Sequence, residues 1–183
     1  MGKIYSSIDD SLRQFIQAQP VFFVGSAPLN PDGHVNISPK GLDTLRILDP
    51  TTIAYLDLTG SGIETVSHLK ENGRIVLMFC AFHGPAKILR IYGKGRVVEP
   101  QEAEFPVLVA HFPSYEGTRA IVSLEISRIA DSCGFGVPRM QYEAERKELS
   151  VWTTKQGPEK LNRYRAEKNH HSIDGLPGLK PSN

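Results

Sequence analysis

Strand-like and helix-like patterns of apolar residues alternate along the chain. The strand-like pattern, with its period of two residues, predicts most of the structure. Six segments either alternate apolar with polar residues or form short apolar, β-branched runs, which is typical of strands. A dense turn signal, Pro28-Leu-Asn-Pro-Asp-Gly33, separates the first two and predicts a hairpin. Six short strands joined in this way predict a mainly β fold, an antiparallel six-stranded barrel with peripheral helices. The six segments are residues 21–26, 34–37, 52–58, 75–81, 87–98 and 121–129.

Helical periodicity marks the elements around this barrel. Residues 8–16 place four apolar side chains on one face, which predicts a short amphipathic helix that plugs one end of the barrel. A second helix follows the third strand, where Ser61 and Glu64 have the spacing of a capping box. The sequence predicts one domain of residues 1–183 with a C-terminal helical extension of about residues 139–183. Further helical patterns cover residues 100–112, 142–149 and 158–168.

Composition agrees with a single domain and excludes several classes of protein. The 183 residues are 40% hydrophobic and 22% charged, enough for one substantial core. A net charge of +1 gives no electrostatic footprint for nucleic acid. No apolar run is long enough to span a bilayer and no secretory signal begins the chain, so we expect a cytoplasmic protein without membrane contact. Cys80 and Cys133 form no C-x-x-C pair, so no metal site is predicted, and Cys133 is expected to be buried.

The end of the second strand carries the first candidate chemistry. Val35 and Ile37 alternate with polar neighbours and run into Ser38-Pro39-Lys40-Gly41. The serine hydroxyl and the lysine ammonium suit a phosphate, and the glycine lets the backbone approach a ligand. The alternative is a strand followed by a tight turn with a solvated lysine.

A second candidate segment lies between the third strand and the second helix. Residues 58–65 read Leu-Thr-Gly-Ser-Gly-Ile-Glu-Thr, so glycines, free helix amides and the Thr65 hydroxyl form a plausible phosphate cradle. The alternative is a well-capped helix without a ligand. Glu64 favours that alternative, because its carboxylate competes for the field that a phosphate would use.

The order of HVNISPKG, YLDLTGSGIETVSHLKENGRIVLMF and KILRIYGKGRVV resembles the flavin-binding split-barrel proteins related to pyridoxamine 5′-phosphate oxidase. The resemblance covers about the first two thirds of the chain. It implies FMN at a homodimer interface, with the phosphate held by the lysine of the second strand and by the helix after the third. True pyridoxamine phosphate oxidases carry an Arg-Lys pair where this chain has Glu64-Thr65, and their substrate-binding arginine and histidine motif has no match here.

Carried over position by position, the resemblance assigns one group of residues to FMN. Leu58 and Thr59 would face the ring through their main chain, and Gly62 and Thr65 would meet the phosphate. Arg90 is a further candidate for an anionic group, with a solvated strand face as the alternative, and Trp152 is a candidate for covering the flavin edge. The sequence identifies no catalytic acid or base. The residues that would line the other side of the flavin are Ser38, Pro39, Lys40 and Gly41.

Two hypotheses about function remain open at this point. The first is an FMN-dependent oxidoreductase that acts on a small molecule, with NADH or NADPH as a candidate electron donor. The second is a protein that stores or senses flavin, or haem, without turnover. The adjacent histidines His170 and His171 are the candidate axial ligands for haem, although neighbours in an extended segment point opposite ways.

Overall fold

The computed structural model describes residues 2–180. Residues 1 and 181–183, which the sequence assigns to the same domain, lie outside the described residues. Within residues 2–180, eight strands form one antiparallel sheet, and four helices surround it. The strands are β1 Ile4–Tyr5, β2 Phe22–Ser26, β3 Asn36–Lys40, β4 Leu45–Asp49, β5 Thr52–Leu58, β6 Arg74–Cys80, β7 Ile88–Val98 and β8 Thr118–Ser132. The helices are α1 Asp10–Gln17, α2 Glu64–Glu71, α3 Phe105–Val109 and α4 Glu148–Lys168.

The sheet order is β3-β2-β6-β7-β8-β5-β4, and β1 pairs with β8. The predicted hairpin of β2 and β3 is confirmed, with Val24 opposite Ser38. β3 and β5 are not hydrogen-bonded neighbours in this order. The curled sheet nevertheless brings their side chains together, since the Lys40 ammonium of β3 lies 3.0 Å from the Asp57 carboxylate of β5.

The predicted antiparallel barrel class is confirmed, with eight strands instead of six. The two additional strands are the short β1 and β4, and β4 lies in the segment 42–50, which was predicted to be a connection. β4 pairs with β5, but four of its five residues are half-buried and the fifth is exposed. Its sequence, Leu-Arg-Ile-Leu-Asp, therefore lacks the regular alternation by which the other strands are recognised.

The second predicted strand extends further than its pattern suggests. β3 continues through Ser38 and Pro39 to Lys40, so the serine and lysine project from a strand and not from a turn. Pro39 is tolerated there because β3 is an edge strand, where a missing N–H removes no ladder hydrogen bond on the open side.

The core lies inside the barrel, and a smaller cluster lies outside it. β5 is apolar on both faces: Ile53 and Tyr55 belong to the interior core, whereas Ala54 and Leu56 pack in the outer cluster beneath α3. Burial on both faces explains the continuous apolar run of this strand.

The helix plugging the barrel is confirmed. Asp9 accepts a hydrogen bond from the Leu12 amide at 2.8 Å and so caps α1, and Leu12 and Ile16 are buried in the interior core. The capping box predicted for α2 is wrong. Ile63 is the N-cap and makes no side-chain cap hydrogen bond.

The C-terminal extension differs in part from the prediction. The helix predicted over residues 142–149 is wrong, since residues 141–147 are irregular and exposed, and no apolar face there is buried to stabilise a helix. The helix predicted from Pro158 is confirmed as the second half of α4, which is kinked at Gly157 (φ 70°).

After α4 the chain turns back on itself in a small hairpin, residues 169–179. The Leu179 amide donates to the Asn169 carbonyl at 2.9 Å, and the Gly178 amide donates to the His170 carbonyl at 2.7 Å. The hairpin packs on α2, where the Ser67 hydroxyl reaches the Leu176 carbonyl. The C-terminal segment thus lies beside the start of α2.

Candidate functional site

One cavity of about 170 Å³ joins the end of β5, the loop after it, the start of α2 and the inward side of β3. Five of the residues assigned to FMN from the sequence line it: Ser38, Lys40, Leu58, Gly62 and Thr65. The two candidate segments therefore meet in space. The remaining lining residues are Asn36, Asp57, Gly60, Ile63, Glu64 and Arg119.

A buried carboxylate between two cations forms the floor of this cavity. Asp57 is 1% exposed, and its two carboxylate oxygens accept from Lys40 Nζ at 3.0 Å and from Arg119 Nε at 2.7 Å. Burial would raise the pKa of Asp57, but the charges of Lys40 and Arg119 outweigh it and hold the pKa at about 2. The three side chains together keep one positive charge beside the cavity.

Arg119 also holds the loop that follows β5. Its Nη1 donates to the Gly60 carbonyl at 3.0 Å and its Nη2 donates to the Gly62 carbonyl at 2.8 Å. With Nε on Asp57, the guanidinium uses all three nitrogens and is buried beneath the loop. A planar fork of this kind fixes direction as well as charge.

Several hydrogen-bond donors face the space above this floor. Asn36 Nδ2 donates to the Thr65 hydroxyl at 2.9 Å, which leaves the hydroxyl proton for another acceptor. The buried Ser38 Oγ has no hydrogen-bond partner within residues 2–180. The first amides of α2 have no acceptor within the helix. This donor set, with Lys40, suits a phosphate or another small anion.

Glu64 opposes an anion at the same place. Its carboxylate folds back over Gly62, where an added Cβ would lie 2.7 Å from Oε2, and Oε1 accepts from the Ile173 amide at 3.4 Å. Glu64 also lines a neighbouring cavity of about 460 Å³ with His34, Val35 and Ile173. The carboxylate thus stands at the boundary between the two cavities.

The other sequence-assigned residues lie apart from the cavity lining. Pro39 is exposed, and the Gly41 carbonyl accepts from the Thr44 hydroxyl at 2.8 Å. Thr59 is buried beneath the loop, where its hydroxyl donates to the Gly117 carbonyl and accepts from Arg165 Nε at 2.9 Å.

Arg90 and Trp152 are not brought to the cavity within one chain. Arg90 Nη1 lies 3.1 Å from the Ser132 hydroxyl on the neighbouring strand β8. Trp152 is on α4 and packs edge-on against Tyr164, with ring centroids 5.2 Å apart. Trp152 therefore covers a neighbour on its own helix.

Three residues of the cavity, Asp57, Arg119 and Asn36, were not predicted from the sequence. A signal existed for Asp57, because it is a charged residue inside the apolar run of β5, where a carboxylate must be paired. Arg119 is 62 residues further along the chain and has no comparable signal, since its partners are defined only by the pairing of β5 with β8.

The structure also shows where the candidate haem ligands and the two cysteines lie. His170 and His171 are both exposed with ring centroids 4.2 Å apart, so they do not point opposite ways. No group of three or more metal-ligating side chains occurs within residues 2–180. Cys80 is buried, but Cys133 is exposed, contrary to expectation, because it follows the end of β8 in an open loop. Within residues 2–180, no helix is both long enough and apolar enough to cross a membrane.

The fold and the cavity define an antiparallel split barrel with a cavity at the start of a helix that is lined by hydrogen-bond donors and a lysine. A family model described as pyridoxamine 5′-phosphate oxidase matches residues 8–133. A curated relative from Aspergillus flavus, described as pyridoxamine 5′-phosphate oxidase family protein ustO, is 37% identical. The match covers 98% of this chain and 78% of the relative. The chain belongs to the pyridoxamine 5′-phosphate oxidase family.

Solved structures share the fold at low sequence identity. A point variant of HupZ from Group A Streptococcus is 20% identical, with a TM-score of 0.55, and the match covers 68% of this chain and 99% of that one. A protein from Mesorhizobium loti described as FAD-binding is 12% identical, with a TM-score of 0.50, and the match covers 70% and 96%. At these identities the likeness concerns the fold alone.

Proposed function

We propose that this protein binds FMN in the cavity between β3 and α2 and acts as a flavin-dependent oxidoreductase on a small molecule. The observation that carries the proposal is the meeting of Lys40, Ser38 and Thr65 around one anion-sized cavity. Family membership supports a flavin as the ligand.

The phosphate is the part of FMN that this chain is best equipped to hold. Lys40 supplies a charge-assisted contact, and the Ser38 and Thr65 hydroxyls supply two further donors. Gly60 leaves open space where a side chain would stand, since an added Cβ there meets nothing within 4 Å. Glu64 is the opposing charge, because its carboxylate stands at the boundary of the same cavity.

The ring requires more surface than this cavity provides. Cavities for cofactors are commonly 300–1,000 Å³, so about 170 Å³ accommodates the phosphate end only. We infer that a second copy of the chain completes the site, as the family resemblance implies. Exposed Val35 and Ile37, 71% and 69% accessible, flank the open edge of β3 and offer an apolar contact for that copy.

In this proposal the flavin and the protein chain have different roles. The flavin, when bound, supplies hydride and electron transfer. The chain's own residues would hold the phosphate through Lys40 and keep the loop after β5 rigid through Arg119.

The decisive experiment is a titration of the purified protein with FMN and riboflavin, followed by visible absorption. We expect FMN to bind more tightly than riboflavin, and NADH or NADPH without oxygen to bleach the oxidised flavin band, which a suitable acceptor then restores. Binding of neither flavin would refute the cofactor. Tight FMN binding that no donor, including reduced deazaflavin, can turn over would refute the enzyme and leave storage or sensing.

A further inference from the structure

A buried side chain from the C-terminal hairpin reaches the loop that the proposed function assigns to the phosphate. Asn169 is fully buried, and its Nδ2 donates to the Gly60 carbonyl at 2.9 Å and to the Ser61 carbonyl at 3.3 Å. The amide nitrogen must face these carbonyls, because the side-chain oxygen would repel them. Asn169 lies 109 residues beyond Gly60, so only the folded extension brings it there.

Asn169 and Arg119 together hold three consecutive carbonyls. Arg119 takes those of Gly60 and Gly62, and Asn169 takes those of Gly60 and Ser61. The chain contains no cis peptide bond within residues 2–180. In a trans peptide unit the N–H points opposite to the C=O, so holding these carbonyls directs the next three amides the other way.

The amides directed outward are those of Ser61, Gly62 and Ile63. None of them donates to a backbone or side-chain acceptor within residues 2–180. Gly60, Gly62 and Ile63 line the cavity, so this run of amides borders the space where the phosphate is proposed. Backbone amides arranged in this way form an anion receptor.

We propose that Arg119 and Asn169 are positioning residues for the phosphate, which they serve by fixing the amides of the Gly60–Ile63 loop. The inference rests on the proposed function, since it concerns the same ligand. It makes the C-terminal extension a structural part of the cofactor site. It also explains why Arg119 is forked across two carbonyls when a single contact would satisfy the charge of Asp57.

The test compares FMN with riboflavin in two variants. Asn169→Ala removes the two carbonyl contacts, and Arg119→Lys keeps a positive charge for Asp57 but loses the fork. We expect each variant to lower the ratio of riboflavin Kd to FMN Kd about tenfold, a loss of about 1.4 kcal/mol, while the Kd for riboflavin changes less than about twofold. Ser67→Ala is the matched control, because it removes a contact of the hairpin with α2 but leaves the loop alone.

The possible outcomes distinguish failure of the positioning role from failure of the proposed function. An unchanged ratio in both folded variants, or equal losses for FMN and riboflavin, overturns the positioning role and leaves the proposed function standing. A wild-type protein that binds neither flavin fails the proposed function itself. Circular dichroism and melting curves establish that each variant is folded, and Asn169→Ser, a smaller polar replacement, takes the place of Asn169→Ala if the latter does not fold.

Discussion

At the scale of single residues, Lys40 lies between a buried carboxylate and the cavity. Its ammonium is tied to Asp57 at 3.0 Å, yet it is 20% exposed toward the cavity. Arg119 shares the same carboxylate, so the lysine is not fully neutralised. Lys40 is thereby oriented by a buried anion and still available to an external one.

Replacing Lys40 tests the external partner. In Lys40→Ala we expect FMN affinity to fall about tenfold to hundredfold, because a charge-assisted contact is worth about 1.5–3 kcal/mol. Riboflavin affinity should hardly change. The control is Lys94→Ala, since Lys94 donates to the Asn72 carbonyl and does not line the cavity. Equal losses for both flavins would contradict the assignment to the phosphate.

Asp57 makes the free energy of unfolding depend on pH. Its pKa of about 2 lies below the ordinary 3.8, so the stabilisation is present above about pH 4 and is lost as the pH falls toward 2. The loss should be about 2 kcal/mol. Denaturant unfolding at several pH values measures it.

The comparison with Asp57→Asn isolates this group from the other carboxylates. The variant should be less stable by about 3–5 kcal/mol at neutral pH, because it leaves the buried Arg119 and the half-buried Lys40 without their anion. Its stability should also fall less steeply between pH 4 and 2. Parallel curves for the two proteins would show that Asp57 is not the group responsible.

At the scale of elements, the residue that begins α2 stabilises the helix but opposes the proposed ligand. Glu64 stabilises the helix through the dipole but places a carboxylate at the boundary of the anion cavity. Thr65, the next residue, supplies a hydroxyl to the same cavity. The helix is thus stabilised by a residue that opposes the proposed ligand.

Removing the charge of Glu64 should strengthen FMN binding and weaken the helix. Glu64→Gln is expected to tighten FMN binding about fivefold, since a like charge near the phosphate costs about 1 kcal/mol in a solvated setting. It should lower the free energy of unfolding by about 0.3–1 kcal/mol. The control is Glu71→Gln at the far end of the helix, where the carboxylate accepts from the Leu29 amide. An unchanged FMN Kd would mean that Glu64 has moved clear of the bound ligand.

At the scale of the whole molecule, the proposed site is open on one side. The single-chain cavity is small, and the edge strand β3 beside it is flanked by exposed aliphatic side chains. An edge with unpaired backbone groups and apolar side chains favours association. A closed dimer would bury this edge and enlarge the site together.

The dimer proposal is tested at Ile37. Ile37→Lys should convert a sedimenting dimer to a monomer and weaken FMN binding, because a charge would be buried at the contact. Val107→Lys is the matched control, since Val107 is 67% exposed on α3, which does not line the cavity. A wild-type monomer that binds FMN tightly would contradict the proposal.

The sequence by itself determined most of the elements and two parts of the candidate site. Apolar periodicity located β2, β5 and α1, because each buries one or both faces in a regular pattern. Local chemistry also identified the Ser38 to Gly41 segment and the loop before Thr65, because hydroxyls, glycines and a lysine at a strand or helix end suit an anion wherever they occur. These signals depend only on neighbours in the chain.

The tertiary structure alone decided how these parts work together. Asp57 meets Arg119 across 62 residues, and Asn169 meets Gly60 across 109, and no local pattern encodes either contact. The capping box failed for the same reason, since Glu64 turned to the Ile173 amide of a distant hairpin. Whether the charge of Lys40 is free, and which way the loop amides point, depends on groups that only the closed barrel and its C-terminal extension bring within hydrogen-bond distance.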